Sequence, residues 1–157
     1  ILGEETDLSW RVWLHGYDVV FQPLATGYHA FNTKFKPVKL FYSPERVYYN
    51  GCRNYITMLL KNLGTLNAWR VIPIHCSIWL VSSIMMILTG KFLAGWHILR
   101  GLGYVIRNFS YIMRKRKTVQ MARSKTDGEI FPFIMRSPGA GYYVQRLTRY
   151  IQIGLHG

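Results

Sequence analysis

The chain has 157 residues, half of them hydrophobic, and carries 20 Lys and Arg against seven Asp and Glu, a net charge of +13. Abundant apolar surface combined with strong net charge excludes a disordered tail and an ordinary soluble domain, and fits a chain resting on an anionic membrane. The two cysteines, Cys52 and Cys76, have no C-x-x-C spacing, which argues against a disulfide framework or a zinc site and leaves free thiols on helices in a reducing compartment.

The length argues for one domain. The chain nevertheless opens on Ile1 and reaches Glu4, Glu5 and Asp7 without the basic start, apolar stretch and small-residue cleavage site of an export signal. The expectation is a piece from the interior of a longer protein. From Glu4 to His15, Leu8, Val12 and Leu14 fall on one side at helical spacing, acids crowd the first turn and Gly16 stands where a helix stops, so a short amphipathic helix is predicted. Residues 17–21, Tyr-Asp-Val-Val-Phe, are β-branched and aromatic and are closed by Pro23, which predicts a short strand near a sheet edge. Residues 24–42 contain Gly27, His29, Asn32, Pro37 and three lysines without periodicity, the pattern of a long loop facing a substrate.

A second helix is predicted over residues 43–61, because Ser43 can cap, Pro44 is tolerated in the first turn and Glu45 complements the helix dipole. It should end near Gly64. Between Val71 and Gly90 there is no Asp, Glu, Lys or Arg, a stretch about as long as a hydrocarbon core is thick. The segment from Phe92 to Met113 is apolar but holds Arg100 and Arg107, and runs into Arg114-Lys115-Arg116-Lys117, reading as an interfacial helix or the return arm of a hairpin. From Lys91 onward there are twelve Lys and Arg against Asp127 and Glu129, a net +10 by subtraction, so this basic tail should stay cytoplasmic. With the amino-terminal portion cytoplasmic too, a single crossing at 71–90 would put it on the wrong side, which favours a hairpin or re-entrant arrangement. After about Lys125, a modest helical stretch from Tyr142 to Ile153 carries no recognisable chemistry.

The acids are followed by Leu8-Ser9-Trp10-Arg11, Gly16-Tyr17, Pro23 and His29. In order and spacing this resembles the E-D-x-D-L-x-x-R helix, G-Y, strand, proline and histidine of glycosyltransferase family 2. Tyr48-Tyr49, Arg53-Asn54, Lys61-Asn62, Arg114-Lys115-Arg116 and Ser124-Lys125-Thr126-Asp127-Gly128-Glu129 look like its membrane-associated, rhamnosyltransferase-like members. The resemblance covers roughly residues 3–130. It implies an α/β fold, with residues 1–65 as the carboxy-terminal part of a GT-A catalytic domain, membrane-associated helices over 66–120 and a basic tail over 121–157.

The resemblance also implies an inverting transfer from a nucleotide-sugar donor to a glycan or lipid-linked acceptor in cell-surface polysaccharide synthesis, on the cytoplasmic face of the membrane. Glu5 matches the position of the family's base, although the family most often has aspartate there, and Asp7 is the rival base on the same helical turn. A hydroxyl is a poor nucleophile, so such a base assists it, and a departing diphosphate needs metal or cationic stabilisation. His29 is then a candidate for contact with a divalent metal, Mg or Mn, or with the diphosphate. Glu4, Arg46, Arg53 and Asn54 are candidates for substrate binding. No Asp-x-Asp occurs in the chain, so most of the metal and donor site should lie outside it and the chain alone should be inactive.

The plain alternatives stay open. Carboxylates are favourable at any helix amino terminus, the Arg46 to Asn54 face also fits a solvated basic surface, and the whole chain also fits a non-enzymatic basic membrane-surface or scaffold protein. The Arg114 to Lys117 run beside apolar helices points to lipid as partner and not to nucleic acid.

Overall fold

The computed structural model describes residues 3–27 and 45–134, with Gly141, Val144, Gln145 and Thr148 beyond them. The predicted loop over 24–42 and the helical stretch over 142–153 lie largely outside the described residues. Every regular element among the described residues is helical: α1 (Glu4–Leu14), a π-helical turn (Glu45–Tyr49) leading into α2 (Asn50–Asn62), α3 (Thr65–Leu88), α4 (Phe92–Arg107), α5 (Phe109–Met121) and α6 (Asp127–Ile134).

This overturns the α/β expectation. No strand or sheet occurs among the described residues, and 17–21 run as irregular chain with Val20 and Phe21 exposed. β-branched and aromatic residues favour a strand through packing and ladder partners, and nothing here supplies either. The α1 prediction holds to within one residue, the helix stopping where His15 leads into Gly16 at φ 86°. Its buried face is Trp10 and Leu14, while Leu8 is exposed. The second predicted helix is the π-helical turn plus α2, and Ser43 and Pro44 lie outside the described residues. The apolar stretch 71–90 falls mostly within α3. The segment from Phe92 to Met113 is broken at Asn108, whose side-chain amide donates to the Tyr104 carbonyl at 2.9 Å and closes α4.

One core of Trp10, Leu14, Ile56, Leu59, Leu63, Val105, Ile112 and Ile130 joins α1, α2, α4, α5 and α6. A second, of Cys52, Met86, Ala94 and Ile98, closes α3 and α4 against the start of α2. α3 and α4 form an antiparallel hairpin that turns at Gly90, φ 84°. Their backbones approach closely because position 95 is glycine: a Cβ there would stand 2.6 Å from the Ser83 carbonyl oxygen, and the Ser83 hydroxyl donates to the Gly95 carbonyl at 2.7 Å.

The turn from α2 to α3 at Leu63–Gly64 leaves carbonyls of one helix and amides of the next without intrahelical partners. α5 and α6 supply them. Arg116 donates to the Leu60 and Leu63 carbonyls at 2.6 and 2.7 Å, Gln120 to Lys61 at 2.9 Å and Arg123 to Asn62 at 3.3 Å. Asp127, buried and paired with Arg123, accepts from the Gly64 amide at 2.8 Å and the Asn67 side chain at 2.7 Å. Burial, with Arg123 close by, lowers the Arg116 pKa from its ordinary value. A Cβ at position 64 would stand 2.9 Å from the Asp127 carboxylate, which is why glycine occupies the turn.

Asp127→Ala should destabilise the fold by about 3 kcal/mol in denaturant unfolding, because it takes the counter-ion from the half-buried Arg123 and the acceptor from the Gly64 amide and Asn67. A second prediction concerns the start of α6, where Thr126 and Glu129 cap each other. The Glu129 carboxylate accepts from the Thr126 amide at 2.8 Å and its hydroxyl at 2.7 Å, and these bonds lower the Glu129 pKa. A folded pKa below the unfolded one means stability present above the ordinary glutamate value of about 4.3 and lost as pH falls through the lowered folded value. The stability difference between wild type and Glu129→Gln should therefore be present at neutral pH and vanish in acid, as read by unfolding midpoints across pH.

Candidate functional site at the amino-terminal helix

α1 is fastened to the bundle along one face. Asp7 accepts from Lys61 Nζ and from Asn62 Nδ2, each at 2.9 Å, and Arg11 one turn on lies 3.3 Å away. At the far end, the Leu14 carbonyl accepts from the Ser124 and Lys125 amides at 2.8 and 3.2 Å, and Trp13 stacks on Phe133 with centroids 5.5 Å apart. Two residues of helix turn through about 200°, so Glu5 lies on the side of α1 opposite Asp7. Glu5 is exposed, and among the described residues no ion pair or hydrogen bond engages its carboxylate. Glu4 is exposed beside it.

The two candidate bases are therefore in different electrostatic situations. Asp7 is neutralised by Lys61 and held by Asn62, so both its oxygens are committed to structure. Glu5 projects from the positive end of the α1 dipole toward open space.

Arg53 and Asn54 lie elsewhere. Arg53 donates through Nε to the Asn54 side-chain oxygen at 3.0 Å, and its guanidinium stands 5.1 Å from the ring centres of both Tyr49 and Tyr104. Arg100 stands over the other side of this group, 5.5 Å from the Tyr49 ring, and within 3.5 Å of His97 Nδ1. From Arg53 to Lys61 is about 12 Å of helix rise, so the fold brings Glu4, Glu5 and Asp7 together and Arg53 and Asn54 together, in two separate places. Arg46 belongs to the π-helical turn, but its side chain lies outside the described residues, as does His29.

No group of three or more His, Cys, Asp or Glu side chains is gathered to hold a divalent metal among the described residues, and the acids of α1 diverge, Asp7 being already occupied by cations. Both cysteines are free, and burial next to Cys76 pushes the Cys52 thiol up to about 12, leaving it protonated and inert.

Lys61 and Asn62 as the partners of Asp7, and Tyr49, Tyr104 and Arg100 around Arg53, were not identified as site residues from sequence. The second group had a signal: Tyr49 to Arg53 and Arg100 to Tyr104 are both i, i+4 pairs on one helix face. No family model, curated protein or solved structure matches this chain.

Asp7→Ala should loosen α1 by about 2 kcal/mol, since charged hydrogen bonds are lost and Lys61 is left unpaired. Hydrogen exchange should quicken across residues 4–14 while α3 and α4 keep their protection.

Proposed function

We propose that this chain is the membrane-seated, acceptor-side part of an inverting, nucleotide-sugar-dependent glycosyltransferase acting at the cytoplasmic face of a membrane, with Glu5 as its base. The ordered resemblance to glycosyltransferase family 2 suggests the chemistry. The observation that carries the choice of base is the division of labour on α1: Asp7 is spent on Lys61 and Asn62, whereas Glu5 is exposed at the free end of a helix anchored to the bundle.

In this reading the Glu5 carboxylate takes the proton of an acceptor hydroxyl as that oxygen bonds to the anomeric carbon. The sugar–phosphate bond breaks with its electron pair leaving on the nucleoside diphosphate. The donor and its divalent metal are assigned to groups outside these 157 residues, with His29 as a contact from this chain. The acceptor is a glycan or a lipid-linked one, and the exposed apolar faces of α3 and α4 support work at a membrane: α3 is long and apolar enough to cross one, and only 11% of its most apolar window is buried.

A second reading, a non-enzymatic basic membrane-surface protein, draws on that same exposed helix, which needs no catalysis to explain it. The test is made in the enzyme that carries this chain. Glu5→Gln should lower transfer roughly 10²-fold with donor binding retained, while Asp7→Asn should cost stability first. Loss of transfer with Asp7→Asn and near silence with Glu5→Gln would reverse the assignment. If both substitutions leave transfer intact, the acid cluster is a helix cap and the enzymatic reading of this segment fails.

A further inference from the structure

We infer that the α3–α4 hairpin enters one leaflet of an anionic bilayer, tip first, with Arg100 at the level of the lipid phosphates. This rests on the membrane attachment in the proposed function and not on the transferase chemistry.

The antiparallel register sets the depth. Gly95 packs against Ser83 and Ile87, so Arg100, five residues further on, stands level with residues 78–82, the middle of α3. A helix of 24 residues is about 36 Å long and would cross a core of about 30 Å. Were α3 to cross, Arg100 would lie near the midplane. So would the elements packed at that level: Gly101 touches the Tyr49 carbonyl and Cys52, placing Asn50, Arg53 and Asn54 in hydrocarbon as well. Charged and amide groups are costly there.

From Leu80 to Gly90 the rise is about 15 Å, half of that core. This is the part of the hairpin whose outward faces are apolar on both helices: Val81, Ile84 and Leu88 on α3, and Phe92, Leu93 and Trp96 on α4, are all exposed. Ser83, Met86, Ala94 and Ile98 face inward. A hairpin lying flat would keep one polar side to water, and this one has apolar faces pointing in opposite directions. Within the hairpin below the Arg100 level, residues 81–99, the one formal charge is Lys91, whose long stem can reach upward. Level with Arg100 stands Arg53, and above it Arg70, Arg107 and the outward Arg114, Lys115 and Lys117, a charge pattern complementary to an anionic leaflet.

The test uses the whole chain with Cys76→Ser and Thr89→Cys at the hairpin tip, bound to vesicles of phosphatidylglycerol and phosphatidylcholine; Leu88→Cys is the second variant. Cosedimentation first establishes attachment, and its absence overturns the membrane reading together with this inference. With attachment in hand, a membrane-impermeant maleimide should fail to label position 89 or 88 from outside or from the vesicle lumen, and should label both once detergent is added. Lumenal labelling overturns the inference in favour of a crossing, and outside labelling in favour of a surface-lying hairpin, each leaving attachment intact. Arg100→Gln should weaken partition into these vesicles roughly fivefold and leave partition into neutral vesicles unchanged. Equal partition of the variant and the parent into anionic vesicles removes Arg100 from the phosphate level.

Discussion

The fold turns on the reversal at Leu63–Gly64, where the negative end of α2 and the positive end of α3 meet in a half-buried site. Neither helix can satisfy its own terminal groups, and water has limited access. Arg116 and Gln120 from α5 and Arg123 just beyond it answer the carbonyls, and Asp127 from α6 answers the amides. The signs are matched to the helix dipoles, cations at the carbonyl end and a carboxylate at the amide end. Lys61 and Asn62, next to the same turn, then carry α1 through Asp7. The positions of the acids, the hairpin and the basic helix are all referred to this one junction.

Sequence pattern revealed the helices and misjudged what surrounds them. α1 was legible because its acids, its periodicity and Gly16 agree, and the apolar run of α3 because charge is missing for twenty residues. Residues 17–21 misled because β-branched and aromatic side chains signal a need for cover and not the presence of a neighbouring strand. Of the site, the acid cluster was visible, but the difference between Glu5 and Asp7 was not, since Lys61 lies 54 positions from Asp7. The residues after Lys125 carried no recognisable chemistry by pattern, yet Asp127 is among the most constrained groups in the molecule, because its partners at Gly64 and Asn67 come from 60 or more positions away.

Basic residues do two unrelated jobs here. Arg116 and Arg123 are turned inward as helix caps and lie partly shielded from solvent. Arg114 and Lys115, on the same helix, stand over the exposed ring of Tyr111 at 5.9 and 5.6 Å. One tetrad of cations in the sequence is thus split by helical rotation, and only its outward members remain exposed on the surface. The net charge of +13 overstates the field at the surface accordingly.

The bonds from Ser124 and Lys125 to the Leu14 carbonyl join residues 110 or more positions apart. During synthesis, α1 leaves the ribosome long before anything exists to receive it: α2 must follow, then the hairpin, then α5, before the peptide that clasps Leu14 is made. Of the described helices, the one bearing Glu5 is thus translated before the others and is among the last to be seated. A chain truncated before Ser124 lacks that clasp, so α1 is secured only once nearly the whole bundle has been made.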